Sequence, residues 1–334
     1  MIARSQPKIE PADWQHEVRE SLARPAALLE LLGLRPAEVG LSDAAAADFP
    51  FRVPRPFAAR MRVGDPHDPL LRQVLPVHEE TRARAGFVAD PVGDLIAERA
   101  PGLLHKYRGR ALLLTTGACA VHCRYCFRRA FPYSDSVGTA RLDAALQALA
   151  GMPDIDEVIL SGGDPLSLRD ERLAALVQRL AALPHLQRLR VHTRLPVTIP
   201  SRITPALVDW LTGTRLKPVI VLHVNHAQEL DDTVATALAP LRAAGIPLLN
   251  QAVLLRGVND HAGALLALSL RLFDCGVLPY YLHLLDRVQG AAHFAVGQAR
   301  ARALMRELRA GLPGYLVPKL VREIAGETGK TPVA

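Results

Sequence analysis

Three of the chain's four cysteines, Cys119, Cys123 and Cys126, stand in the spacing C-x3-C-x2-C within ALLLTTGACAVHCRYCFRR, residues 111–129. The apolar run ahead of them, Ala111 to Leu114, reads as a buried strand, so the thiols sit on the loop that leaves its carboxyl end. Open parallel sheets and barrels carry their chemistry at that end. Three thiolates can hold a metal, but a structural zinc takes a fourth protein ligand, usually from a second C-x2-C pair. The remaining cysteine, Cys275 in FDCGVLP, is isolated and reads as a small buried hydrophobe. A cubane iron-sulfur cluster held by three cysteines leaves one iron open to a small molecule. Cluster, zinc and redox-active thiols are all compatible with the spacing alone, and His122 reads as a loop side chain. Thiolates that serve a cluster require a reducing compartment.

From Ala111 onward, strand-like and helix-like runs alternate at α/β spacing. The strands are expected at 111–116, 157–161, 189–193, 218–224, 247–255 and 279–285. The helices between them are expected at 139–150, 170–183, 204–211, 234–244, 263–273 and 296–312. Thr204 and Asp170 suit N-cap positions, and Gly245 suits a helix stop. Right-handed crossovers would curl six such units into a partial barrel. Residues 1–100 differ in character. Trp14, Val18 and Leu22 recur at steps of four until Pro25, which would open a second short helix. Leu28, Leu29, Leu31 and Leu32 would form that helix's apolar face, and Gly33 would end it. The chain therefore divides into a helical and Pro-rich collar (1–100), an α/β core (101–312) and a tail (313–334).

With 334 residues and 49% hydrophobic content, the chain can bury a sizeable core. Its formal charge of +7 comes without a Lys/Arg block interleaved with aromatics, so no nucleic-acid partner is expected. The N-terminus lacks an apolar signal region and no run of eighteen apolar residues occurs. The expectation is a cytoplasmic protein with no membrane partner. Homo-oligomerisation is left open by the sequence.

Tyr125, just before the last cysteine, completes a pattern that resembles the signature of the radical S-adenosylmethionine (SAM) enzymes. There the open iron of a 4Fe-4S cluster is chelated by the methionine moiety of SAM. SGGDP (161–165) resembles the glycine-rich motif of the same superfamily, and RMRVGDPHDPLLRQVLP, VHTRLPVTIPSRIT, LHVNH and NQAVLLRGVND resemble segments of the lysine 2,3-aminomutase family, over roughly residues 50–330. This resemblance implies an α/β fold, a partial (β/α)6 radical SAM barrel with an N-terminal helical region and a C-terminal cofactor-binding tail. It implies three cofactors: the cluster on Cys119, Cys123 and Cys126, SAM, and pyridoxal 5′-phosphate (PLP).

Residue by residue, the resemblance assigns Gly162, Gly163 and Asp164 to the amino group of SAM. His223, Asn225 and Gln251 are assigned to the SAM and PLP region, and Tyr107 and Arg110 of HKYRGR to the PLP phosphate. Lys106 stands where the family has arginine and is not carried over. Arg128 is assigned to the substrate carboxylate, Asp286 to the distal ammonium, and Lys330 of Gly-Lys-Thr-Pro to the covalent bond with PLP; Lys319 lacks the preceding glycine. In the tail, REIAGETGK replaces the segment that carries a second substrate aspartate in the free-lysine mutases, leaving Glu323 as the stand-in. The tail resembles the elongation factor P-lysine 2,3-aminomutase branch, which makes (R)-β-lysine for translation elongation factor P. The implied function is conversion of L-lysine to β-lysine by an isomerase fed electrons by flavodoxin or ferredoxin. Two other readings are a 2,3-aminomutase for another amino acid such as glutamate, and an iron-sulfur scaffold or RNA-binding module without PLP chemistry.

Overall fold

A computed structural model describes residues 13–333. Ten strands form one sheet in sequence order. β1 (Glu98–Ala100), β2 (Leu103–Tyr107) and β3 (Arg110–Thr116) are joined antiparallel at one side. β4 (Glu157–Gly162), β5 (Arg188–Thr193), β6 (Lys217–His223), β7 (Leu248–Leu254) and β8 (Leu278–Leu284) continue from β3 in parallel. β9 (Lys319–Arg322) adds parallel to β8, and β10 (Thr331–Pro332) turns back against β9.

The sheet curls on itself. Lys106 Nζ on β2 lies 3.6 Å from Glu323 Oε1 just past β9, so side chains from the two ends of the sheet meet across the opening. This is the expected partial barrel, closed by side chains rather than by strand pairing. Helices cover its outside because each carries one apolar stripe. In Asp170–Ala181 the stripe is Leu173, Leu176, Val177 and Leu180, all buried. β4 is buried along its whole length, as a parallel strand covered on both faces should be.

The expected strands fall within one residue of those observed, and the helix Thr139–Ala150 has the expected ends. Thr204 caps its helix by accepting from the Leu207 amide at 3.0 Å. Asp170 does not cap: it is the first helical residue, and its carboxylate accepts from Arg202, Thr204 and the Trp210 indole. HKYRGR forms the hairpin between β2 and β3, with Tyr107 opposite Arg110.

In the collar, Pro25 opens a helix that Gly33 ends. Leu28, Leu29 and Leu32 are buried, but Leu31 is 49% exposed, because at 100° per residue it points away from the other three. The helix Trp14–Arg19 stops before Leu22, which instead forms a β-bridge with Val53. The collar's apolar cluster contains Phe57, Leu70, Leu71 and Val74 and extends to Val121 in the cysteine loop.

Candidate active site

The loop after β3 carries Cys119, Cys123 and Cys126, all partly buried. Buried ion pairs bind it to the collar. Arg124, fully buried, donates Nε to Glu80 Oε1 at 2.8 Å and Nη2 to Oε2 at 2.6 Å, and Arg129 Nη1 donates to the same carboxylate at 3.0 Å. Remaining Arg124 donors serve the carbonyls of Phe49 and Ala45. A forked guanidinium-carboxylate pair fixes orientation as well as distance, which a loop that must aim three thiols needs. His122 is spent on the Pro50 carbonyl, 2.8 Å from Nδ1, in keeping with a loop role.

Burial and the neighbouring cysteines push the Cys119 thiol well up and the Cys126 thiol up to about 11. Crowded thiols that hold their protons become thiolates when a cationic centre compensates them, so the donor set fits an iron-sulfur cluster. Among the described residues, no three His, Cys, Asp or Glu side chains converge as ligands of a single ion would. Cysteines that each serve a different iron of a cubane need no such convergence.

The second strand end abuts this loop. A Cβ on Gly162, whose φ is +127°, would lie 2.3 Å from the Thr116 carbonyl oxygen, and one on Gly163 would lie 2.3 Å from that of Ala118. Only glycine lets the two loops approach so closely. The Asp164 side chain is engaged by protein partners. It accepts from Thr193 Oγ1 at 2.7 Å and from the amides of Arg194, Leu195 and Leu166, tying the end of β4 to the end of β5. Asn225 likewise faces protein. It is fully buried, donates to Gln73 Oε1 and Tyr125 Oη at 2.9 and 2.7 Å, and accepts from the Val253 amide at 2.8 Å. His223 Nε2 lies 2.8 Å from Tyr125 Oη, and burial together with Arg194 pushes its pKa down to about 3, so the ring is neutral. Gln251 is its register partner on β7.

A second set gathers the tail, β8 and the β2–β3 hairpin, the hairpin standing at the end of β3 opposite the cysteine loop. Lys330 Nζ donates to Glu323 Oε2 at 2.7 Å and stands 5.8 Å from the centre of the Tyr281 ring. Arg110 lies over the Tyr107 ring at 4.5 Å. The Tyr107 hydroxyl, on the Glu323 side, and His192 Nε2 are buried and find no well-aligned partner. Burial holds His192 and His283 far below the usual imidazole pKa, with Lys330 adding to the effect. Orphaned polar atoms around a lysine and an arginine fit a bound polar cofactor such as PLP.

Arg128 is buried, with Nε on Asp94 Oδ2 at 2.6 Å and Nη1 on Ser161 Oγ at 3.1 Å. Its Nη2 has no protein acceptor among the described residues. Asp94 also takes Lys106 at 2.6 Å, so this lysine is spent inside the protein. Burial pushes Asp286 up to about 7, Glu323 adding to the effect and Lys330 opposing it. Asp286 and Glu323 both line an open cavity of about 990 Å³ whose rim carries Arg82, Arg84, Arg256, Arg287 and Arg322.

Sequence reasoning did not single out Asp94, Arg194, Gln73, Glu229 or Tyr281. Arg194 and Gln73 lie in segments recognised for other reasons, but nothing in their local pattern distinguishes a buried network member from a surface polar residue.

A family model for the radical SAM superfamily matches residues 113–268. The L-lysine 2,3-aminomutase of Escherichia coli is 51% identical over 323 residues, covering 96% of this chain and 94% of that protein. That of Haemophilus influenzae is 47% identical over 323 residues, covering 96% of each. That of Clostridium subterminale is 34% identical over 324 residues, covering 96% of this chain and 77% of that protein.

Proposed function

Because the chain belongs to the L-lysine 2,3-aminomutase family of radical SAM enzymes, we propose that it moves the α-amino group of L-lysine to C3, forming β-lysine. The observation that supports this reading is a chain of charged contacts running from the cysteine loop to the tail: Arg128, two residues past Cys126, pairs with Asp94, Asp94 with Lys106, Lys106 with Glu323, and Glu323 with Lys330. When bound, the cluster and SAM supply a carbon radical, and PLP supplies the conjugated system through which nitrogen migrates.

The chain's own residues then divide the remaining work. Cys119, Cys123 and Cys126 hold the cluster, and the close backbone of Gly162 and Gly163 borders SAM, together with His223 and Gln251. Asp164 and Asn225 act one layer behind, positioning that border through the contacts described above. Tyr107 and Arg110 meet the phosphate, and Lys330 carries PLP between turnovers. Arg128 offers its free Nη2 to the substrate carboxylate while Asp94 fixes the plane of the guanidinium. Asp286 and Glu323 receive the distal ammonium. Two carboxylates in that position favour a cation over the anionic end of glutamate.

The reductant is proposed to be a flavodoxin or ferredoxin, and the product to be (R)-β-lysine for elongation factor P, a reading supported by the resemblance of the REIAGETGK tail. No described helix is long and apolar enough to cross a membrane, and a cytoplasmic location is the proposal that goes with such partners. Anaerobic incubation with SAM, a reductant and either L-lysine or L-glutamate tests the reaction. β-Lysine from lysine alone is the expected product; β-glutamate, or no amino-acid product from a fully loaded protein, would overturn the reading.

A further inference from the structure

Among the three cysteines, Cys123 receives something that the other two do not. Arg194, at the end of β5 and 6% exposed, donates Nη1 to Cys123 Sγ at 2.8 Å and to Tyr125 Oη at 2.7 Å. Its Nη2 donates to Gln73 Oε1 at 2.6 Å and Glu229 Oε2 at 2.9 Å, and its backbone amide donates to Asp164 at 2.7 Å. Glu229 is itself fully buried and accepts from Gln73 Nε2 and from the amides of Asn225 and His226. The guanidinium is thus immobilised by four side-chain acceptors contributed by the collar, the cysteine loop and the loop after β6. Among the described residues, neither Cys119 nor Cys126 has a charged side-chain donor on its sulfur.

Such rigidity is costly. A buried guanidinium needs a counter-ion and hydrogen-bond partners to be tolerated; here Glu229 is the counter-ion and both Nη groups are bonded, one of them to sulfur, while Nε has no partner. A charged N–H donor withdraws electron density from a thiolate, favouring the more negative, reduced state of the cluster it ligates. We propose that Arg194 is a positioning residue of the iron-sulfur cluster, which fixes Cys123 and, by donating to its sulfur, raises the reduction potential of the cluster. This rests on the cluster reading given above. Gln73, Glu229 and Asp164 are the supports that hold the donor in place.

The test is an anaerobic redox titration of the reconstituted full chain without SAM, followed by the reduced-cluster electron paramagnetic resonance signal, with iron and sulfide counted per chain. Arg194→Gln should keep its iron and titrate at a more negative potential than wild type. Arg194→Lys, which keeps the charge but not the fork, should shift in the same direction by less. A fully loaded Arg194→Gln protein with the wild-type potential overturns the proposal, even if its melting temperature falls. If Arg194→Gln holds no iron, Arg194→Lys decides: a lowered potential supports the role, and an unchanged one overturns it. Failure of the wild type to assemble any four-iron cluster would instead sink the underlying cluster reading, a result visible before any variant is compared.

Discussion

Glu323 Oε2 accepts from Lys330 Nζ, seven positions further along the tail, at 2.7 Å. The pair joins the residue proposed to carry PLP to one proposed to receive the substrate's distal ammonium. Burial works against the Glu323 carboxylate, but Lys330 and Lys106 outweigh it, so Glu323 is ionised at neutral pH. With Lys330 engaged by the cofactor, as proposed, Glu323 would lose its main counter-charge while facing the cavity it shares with Asp286. A lysine ammonium restores the balance.

Replacing Glu323 with Gln should therefore raise the KM for lysine by roughly 30-fold, a loss of about 2 kcal/mol for one partner of a buried charge pair, with a smaller effect on kcat. Steady-state kinetics on the loaded enzyme read this directly. An unchanged KM would leave Glu323 as a partner of Lys330 only.

Lys330 should carry the cofactor. Borohydride reduction of PLP-loaded protein followed by peptide mapping is expected to put the pyridoxyl mass on the peptide containing Lys330. Lys330→Ala should keep its iron and lose the label. Lys319 lies exposed on β9, and Lys217 is exposed at the start of β6, the end of the strand remote from the cysteine loop. A label on either would remove Lys330 from its role.

Asp94 should be a point of fragility. It is 1% exposed and is the common counter-ion of Arg128 and Lys106, each 2.6 Å away. Asp94→Ala leaves the buried Arg128 guanidinium without its counter-ion and takes from Lys106 the nearer of its two carboxylates, and should cost about 3–5 kcal/mol, the usual penalty for breaking a buried pair. Thermal melting of the variant against wild type checks the size. A loss under about 1 kcal/mol would mean that water reaches the cations once the carboxylate is gone.

The contrast between Arg128 and Asp94 indicates how far the sequence could be read. The barrel core was legible because its helices have a period and because burial on both faces gives strands such as β4 consecutive apolar residues, here Val158 to Leu160. The cysteines were legible because their spacing is short and local. Asp94 was not: it lies 34 positions from Arg128, in a segment without periodicity, and only the meeting of collar and barrel joins them. Arg194 and Glu229 stand 35 positions apart and pair because the loops after β5 and β6, adjacent parallel strands, lie side by side. Roles assigned by position in a motif also failed to say which way a side chain turns, as with Asp164 and Asn225, whose polar atoms are consumed by protein partners. β9 was missed because four residues of tail become a strand only when β8 offers an edge to pair with.

The last prediction concerns pH. Burial pushes the Asp286 carboxyl up to about 7 from an ordinary 3.8, with Glu323 reinforcing and Lys330 opposing. Between these two values the folded protein binds a proton that the unfolded chain has released. Asp286 therefore contributes less stability as pH rises through that window, and its contribution is flat above it. Lysine binding has the opposite dependence. The bound ammonium requires an ionised carboxylate, so below about pH 7 binding must first expel the proton, and affinity should rise with pH until Asp286 is ionised. Measured from about pH 6 to about pH 8, the KM for lysine should fall and then level in the wild type. Asp286→Asn should lose this dependence and bind lysine more weakly at the upper pH, while its melting temperature at about pH 8 stays at or above the wild-type value, because no charge is buried there. The same falling KM in Asp286→Asn would assign the titration to another group and take Asp286 out of the ammonium site.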